Sequence, residues 1–171
     1  MNDIPTIELT IDDDRWNALD LAALARRALS GALAFPELGV EMQCEVSLLA
    51  TDDARIAELN GEFRGRPAPT NVLSWPAQDL APQRAGERPA PPRPDFTGEI
   101  ALGDIAISFD TCAREASAAG KPMEDHVTHL LVHGLLHLLG YDHVRDPDAT
   151  LMEGLETRIL GRLGIEDPYR E

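Results

Sequence analysis

The chain has 171 residues, of which 43% are hydrophobic and 26% are charged, a composition typical of one globular domain with a sizeable core. Its formal net charge of -15 argues against broad binding to nucleic acid, because phosphate contacts usually leave a basic footprint. It contains no run of about 20 apolar residues, so no membrane-spanning helix is predicted, and its acidic start lacks the pattern of a signal peptide. Cys44 and Cys112 lie far apart without a partner motif, so we expect free buried thiols in a cytoplasmic protein, with a disulfide as the alternative.

The first half of the chain predicts strands and helices in alternation. The predicted elements, in chain order, are a strand over 4–11, a helix from 21 to about 35, a strand over 40–50, a helix over 53–63 and an extended segment over 70–76. Asp20 is placed to cap the first helix, and Thr51 or Asp52 can cap the second.

The segment 77–97 is rich in proline, with five prolines between positions 82 and 94. Such a composition excludes regular structure, so we expect a mobile loop there. The surrounding stretch 61–94 carries five arginines and three acids, so it is a basic part of an acidic chain. It is compatible with local phosphate contact, although the arginines could equally serve only to keep the loop soluble.

The second half of the chain is predominantly helical. It predicts one or two strands over 98–108, a helix over 110–119, a central apolar helix over 123–139 and a last helix over 146–164. Gly140 is the natural stop of the central helix. The order of elements predicts a single α+β (α/β-like) domain over 1–171, in which about five helices pack on a small mixed sheet.

All five histidines of the chain fall between positions 126 and 143. Four of them share one face of the central helix at about 100° per residue: His126, His129, His133 and His137. The i,i+4 pair His133 and His137 can direct two imidazoles to one point, and a turn at Gly140 can return His143 to it. Because apolar neighbours offer nothing to the ring nitrogens, this pattern predicts a metal site.

Three imidazoles leave one coordination position open, which is typical of catalytic rather than structural zinc sites. Zinc suits histidine-only ligation best, with copper, nickel or iron as alternatives, and a zinc-bound water has its pKa lowered towards about 7. We expect His129 to lie behind the ligands rather than to be a fourth one, and His126 to be structural or to face solvent. Asp104 and Asp142 could accept the other ring N–H of a ligand, or could be ordinary cap or turn residues.

The spacing is also similar to that of metzincin peptidases, in which a glutamate follows the first histidine as general base. Gly134 stands at that position, which disfavours peptide hydrolysis. Phosphodiester cleavage instead needs a group that stabilises charge on phosphoryl oxygens, and Arg64 could be such a clamp or merely a helix C-cap. Ser74 is a candidate for substrate binding, and Trp75 could stack on a base or belong to the core.

The run HGLLHLLGYDH, from His133 to His143, resembles the signature of the bacterial YbeY family of zinc-dependent endoribonucleases. The upstream segment of that family is matched at Asn60, Phe63, Arg64, Thr70, Val72, Leu73 and Ser74. Two positions depart from it, since Asn71 replaces the usual aspartate and Trp75 the usual phenylalanine. The segments 102–108 and 152–156 also fit, so the resemblance covers about 40–160 and is interrupted by the 77–97 loop, which looks like an insertion.

The resemblance implies that His133, His137 and His143 bind one zinc ion and that Arg64 faces it in the active-site cleft. It implies single-stranded RNA as substrate, with processing of the 3′ end of 16S rRNA and ribosome quality control as the setting. The Asn71 departure removes a charge from the cleft region. Because the chain is so acidic, we expect a partner to deliver the RNA to it. That partner would be a ribosomal protein or an assembly GTPase.

Two other functions remain open from the residues alone. One is a zinc peptidase or amidase, which Gly134 disfavours. The other is a non-catalytic, zinc-stabilised ribosome-assembly module, since a structural zinc site can contribute on the order of 10 kcal/mol to folding.

Overall fold

The structure is a computed structural model that describes residues 5–169. Its single sheet has four strands: β1 (Thr6–Ile11), β2 (Cys44–Thr51), β3 (Val72–Pro76) and β4 (Ile100–Ser108). Their spatial order is β1-β2-β4-β3, with β1, β2 and β4 parallel and β3 antiparallel to β4. The small mixed sheet is therefore confirmed, and the predicted start of the first strand at Ile4 lies outside the described residues.

Five α-helices pack on this sheet: α1 (Leu21–Leu33), α2 (Asp53–Arg64), α3 (Phe109–Ala119), α4 (Met123–Leu138) and α5 (Asp146–Arg162). Two short 3-10 helices, Asp14–Ala18 and Pro36–Leu38, flank α1. The predicted order of strands and helices and the α+β class are confirmed. Asp20 caps α1 and Asp52 caps α2, whereas Thr51 ends β2 and donates its hydroxyl to Asp12.

The second strand begins later than its sequence pattern predicts. Alternation of apolar and polar residues starts at Val40, but β2 starts at Cys44. Its neighbours explain the difference, because pairing begins with Thr6 of β1 opposite Glu45 and with Ile100 of β4 opposite Cys44. Without a partner strand the preceding residues cannot form a ladder, although Val40 is buried.

The proline-rich segment has no helix or strand, as predicted, but it is anchored rather than loose. We use the name strap for residues 77–95. Gln78 and Arg93 close its two ends through reciprocal hydrogen bonds of 2.8 and 3.0 Å. Arg145 donates to backbone carbonyls near its middle, and Asp148 accepts from the Gly86 amide at 2.8 Å. The strap is thereby tied to the start of α5.

The core lies on both faces of the sheet. On one face α2 covers a small cluster formed by Ile56, Leu59, Leu73 and Ala106. On the other face α4 packs on β3 and β4 and is itself covered by α1, α3 and α5. Apart from its histidine face, the middle of α4 is apolar and buried, which makes it the central helix that the sequence predicts.

Close approach of α4 to the sheet depends on Gly134. A Cβ there would lie 3.3 Å from the Ile105 side chain and 3.5 Å from Ser74 Oγ. Cys44 and Cys112 are free and buried, as the sequence predicts for these two thiols. No helix within residues 5–169 combines the length and the apolar character needed to cross a membrane.

Candidate metal centre

The end of α4 brings three histidines together. His133 and His137 lie one turn apart on α4, and Gly140 ends the helix with a φ of 98°. The Gly140 amide donates to the His137 carbonyl and the Tyr141 amide to the Leu136 carbonyl, both at 3.0 Å. This C-terminal turn satisfies the last carbonyls of the helix and reverses the chain, so that His143 returns to the other two.

The ring nitrogens of His133, His137 and His143 converge as the spacing predicts. One nitrogen from each ring lies within 4.8 Å of those of the other two. The Nε2 atoms of His133 and His137 are 3.0 Å apart. Two nitrogens about 2.05 Å from one tetrahedral zinc ion lie about 3.3 Å apart, so the donor set fits such an ion. These three residues could hold a metal ion.

The surroundings of His137 favour its neutral imidazole form. Burial, together with the neighbouring His133 and His143, lowers the pKa of His137 to about 4 against the opposing effect of Asp142. A neutral imidazole keeps a nitrogen lone pair, which a metal requires. At neutral pH, no proton has to leave His137 before a metal binds.

Glu156 of α5 holds the site from behind and was missed by the sequence analysis. Its side chain is fully buried, and Oε1 lies 2.7 Å from His133 Nδ1 while Oε2 lies 2.9 Å from His129 Nε2. Burial raises its pKa, but hydrogen bonds from His129 and His133 outweigh that effect and lower it to about 2. The carboxylate accepts the Nδ1 proton of His133, which leaves Nε2 as the ligand atom.

A sequence signal for Glu156 exists. Positions 152, 155, 159 and 160 form the buried apolar stripe of α5, and the glutamate falls within that stripe rather than on the exposed face. A lone carboxylate in a buried stripe needs partners of its own.

The two predicted aspartates do not take this role. Asp104 lies between Gly103 and Ile105, both of which face α4, so Asp104 lies on the opposite face of the sheet and is exposed. Asp142 accepts the backbone amide of His143 at 2.7 Å, which is the alternative turn role. It lies close enough to His137 to raise the pKa of that imidazole, without a hydrogen bond to the ring.

The remaining two histidines of α4 are placed as predicted. His129 lies behind the ligands and contacts Glu156, although a second possible metal group consists of His129, His133 and Glu156. The hydrogen-bond distances of 2.7 and 2.9 Å favour proton sharing in that second group. His126 is structural, since its Nε2 lies 2.9 Å from Glu115 Oε1 on α3.

Arg64 opens onto the same cleft as the three histidines. The cleft has a volume of about 1160 Å³ and is lined by Arg64, Arg66, Ser74, His133, His137 and His143, among others. The Arg64 guanidinium donates to the Ser74 carbonyl at 2.9 Å. The end of α2 is instead capped by Gly65, whose amide donates to the Gly61 carbonyl, so the guanidinium does not serve as a helix cap.

The two departures from the family pattern have local explanations. Asn71 Nδ2 donates to Glu115 Oε1 at 2.9 Å, and the side-chain oxygen Oδ1 of Asn71 accepts the Val72 amide at 2.7 Å. An ionised aspartate could not donate to Glu115. Trp75 lies on the α2 face and packs edge-on against Phe63 with ring centroids 5.6 Å apart, so it does not line the cleft.

An open cleft that contains three converging imidazoles and an arginine is the arrangement of a metal-dependent hydrolase for phosphate esters. The comparison with known families agrees with that class. The family described as Endoribonuclease YbeY matches residues 7–164, and the chain belongs to this family. The predicted resemblance and the predicted class of enzyme, a hydrolase that is an endoribonuclease, are confirmed.

Individual relatives agree over almost their whole length. Proteins named Endoribonuclease YbeY from Ruegeria pomeroyi, Dinoroseobacter shibae and Sinorhizobium fredii are 67%, 57% and 45% identical to this chain. The alignments cover 95% or more of this chain and 98%, 90% and 91% of these relatives. The solution structure of TM1509 from Thermotoga maritima is similar in fold, with a TM-score of 0.52 and 21% identity over 97% of this chain and 100% of that one.

Proposed function

We propose that this protein is a zinc-dependent endoribonuclease that cleaves single-stranded RNA during rRNA maturation. Processing of the 3′ end of small-subunit rRNA and ribosome quality control are the settings that we propose. The observation that carries the proposal is the convergence of His133, His137 and His143 within 4.8 Å in the same cleft as Arg64.

In this proposal, His133, His137 and His143 hold the zinc ion, and Arg64 and His133 are the catalytic residues. Zinc supplies a Lewis acid and a water of lowered pKa when it is bound. Glu156 keeps the His133 proton on Nδ1 through its 2.7 Å hydrogen bond. Arg64 binds the non-bridging oxygens of the scissile phosphate and stabilises the charge that develops on them, and the Ser74 carbonyl orients its guanidinium.

The products identify the attacking group. Attack by the 2′-OH of the RNA leaves a 2′,3′-cyclic phosphate, whereas attack by water leaves a terminal phosphate monoester. End-group analysis of the cleaved RNA by mass spectrometry separates the two routes.

Two alternatives are less well supported. A peptidase or amidase needs a carboxylate general base beside the ligands, but Gly134 stands at that position, and a Cβ there would lie 3.3 Å from the Ile105 side chain. A purely structural metal site usually has four protein ligands, and here three imidazoles face an open cleft.

Charge and thiols support the cellular setting that we propose. With a net charge of -15, the protein is expected to bind RNA weakly on its own, so delivery by a ribosomal protein or an assembly GTPase is part of the proposal. The two free buried cysteines suit a reducing, cytoplasmic compartment.

A pair of histidine variants on one helix tests the function. We expect His137→Ala to lose both stoichiometric zinc and cleavage of a single-stranded RNA. His126→Ala, which changes the same residue type about three turns away and outside the converging group, should keep both. Equal cleavage by wild type and His137→Ala would refute zinc-dependent catalysis, whereas zinc binding without RNA cleavage in wild type would favour the assembly module.

A further inference from the structure

The C-terminal segment reaches the metal centre through one hydroxyl group. Tyr169 donates its hydroxyl to Glu156 Oε2 at 2.6 Å. The same carboxylate meets His133 and His129 at 2.7 and 2.9 Å. Three side chains from α4 and the C-terminal segment therefore share one buried carboxylate.

The backbone after α5 is folded so that Tyr169 is placed there. Asp167 accepts from the Thr157 hydroxyl at 3.1 Å and from the Tyr169 amide at 2.9 Å, which turns the chain back along α5. The Tyr169 ring then stands edge-on to His129, with centroids 5.9 Å apart at 87°, and lines the cleft. The segment thus has its own anchor at Thr157, separate from the contact with Glu156.

The Glu156 carboxylate determines which atom donates in each of these hydrogen bonds. An ionised carboxylate only accepts, so each of its three partners must donate. His133 therefore carries a proton on Nδ1, and its Nε2 lies 3.0 Å from His137 Nε2. The hydrogen bond to His133 depends on the rotation of the Glu156 carboxylate about its terminal torsion. That torsion has a broad distribution unless hydrogen bonds fix it.

We propose that Tyr169 is a positioning residue of the metal centre: its hydroxyl fixes the Glu156 carboxylate, which holds His133 in the metal-binding tautomer. The inference rests on the proposed metal site and adds a residue from the C-terminal segment to it. Oε1 serves His133 while Oε2 is held by Tyr169 and His129, so removal of the hydroxyl leaves the carboxylate held on that side by one imidazole. Partners of this type change metal affinity by about 10- to 100-fold in other proteins.

The test compares Tyr169→Phe with Thr157→Val in the full-length protein. The first removes the hydroxyl on Glu156 and keeps the ring, whereas the second removes the hydroxyl that anchors the same segment without touching Glu156. Zinc affinity is measured by competition with a chromophoric chelator. We expect Tyr169→Phe to bind zinc about 10-fold or more weakly. Thr157→Val keeps the Tyr169 hydroxyl and the hydrogen bond from the Tyr169 amide to Asp167, so we expect it to bind zinc as wild type does.

A second readout does not require metal. Histidine ring ¹⁵N NMR spectra of the metal-free protein report the tautomer of His133, which we expect to be purely Nδ1–H in wild type and Thr157→Val but mixed in Tyr169→Phe. Unchanged affinity and tautomer in Tyr169→Phe, or equal losses in both variants, would overturn the positioning role. The proposed function fails if the wild-type protein neither binds zinc nor cleaves RNA. If the wild-type protein does both and Tyr169→Phe has the same zinc affinity and His133 tautomer, only the role of Tyr169 is refuted.

Discussion

His137 combines burial with two neighbouring imidazoles, and this makes the metal-free protein sensitive to acid. Its pKa is lowered from 6.5 in the unfolded chain to about 4 in the folded one. Between these values the unfolded state binds a proton that the folded state excludes, so the free energy of unfolding falls as the pH drops from 6.5 to 4. Urea denaturation of the chelated protein across this range measures the slope.

The matched variant for this pH dependence is His137→Gln, which cannot take up the proton. We expect its stability to vary less between pH 6.5 and 4 than that of wild type. Below pH 4.5 both proteins should lose further stability as the pH approaches the lowered Glu156 pKa of about 2. Parallel slopes for the two proteins in the upper range would contradict the account of His137.

Arg64 is the second residue whose proposed role a single substitution can test. We expect Arg64→Ala to retain zinc and to lose cleavage by about 100- to 1,000-fold, since removal of one donor to a developing oxyanion has that effect elsewhere. Arg66→Ala is the control, because that arginine lines the same cleft but its guanidinium makes no hydrogen bond or ion pair within residues 5–169. Single-turnover kinetics at saturating zinc measure both, and undiminished cleavage by Arg64→Ala would remove it from the reaction.

Residue identity and spacing predicted the convergence of His133, His137 and His143 but not the carboxylate that supports them. The i,i+4 pair and the glycine turn are local features of one segment, and the structure places them as expected. Glu156 reaches the site from another helix. Sequence distance alone could not tell which of Glu156, Asp104 and Asp142 meets a histidine ring. Which carboxylate meets a ring is decided by helix packing, which a single sequence does not display.

At the scale of elements, the turn after α4 is the most constrained. Gly140 has a φ of 98°, and a Cβ there would lie 2.7 Å from a backbone carbon of Leu80 in the strap. We expect Gly140→Ala to destabilise the protein by about 2 kcal/mol or more, through backbone strain and this contact, and to weaken zinc binding by displacing His143. Thermal unfolding and zinc competition measure the two effects.

Gly154 provides the contrast for that substitution. It lies inside α5, and no atom of its surroundings lies within 4 Å of the position that a Cβ would occupy. Gly154→Ala should therefore stabilise the protein by about 0.5–1 kcal/mol. A tolerated Gly140→Ala with unaltered zinc affinity would show that the strap does not hold the His143 turn.

The strands and loops differ from the sequence prediction where contacts between distant residues determine their bounds or anchoring. The start of β2 is set by β1 and β4 rather than by its own alternation. Proline content correctly excluded regular structure from the strap, but the contacts of Arg145 and Asp148 that anchor it come from 62 residues away. Local patterns predicted the helices better, because capping residues such as Asp20 and Asp52 act within one turn.

At the scale of the whole molecule, the fold buries its metal-binding helix and leaves one end of it open. The centre of α4 is packed between the sheet and α5, while the histidine face at its C-terminal end lines the cleft. A rigid helix fixes two ligands and a short turn adds the third, so the donor geometry is set by the core. Arg64 and Arg66 line this cleft in a chain whose formal net charge is -15.

Zinc titration of the metal-free protein, followed by cleavage of a single-stranded RNA, tests this account most directly. The account predicts no cleavage without metal, a rate that rises in proportion to added zinc, and a plateau at one ion per chain. Cleavage at the full rate in the presence of a chelator, or zinc bound at one equivalent without any gain in rate, would contradict it.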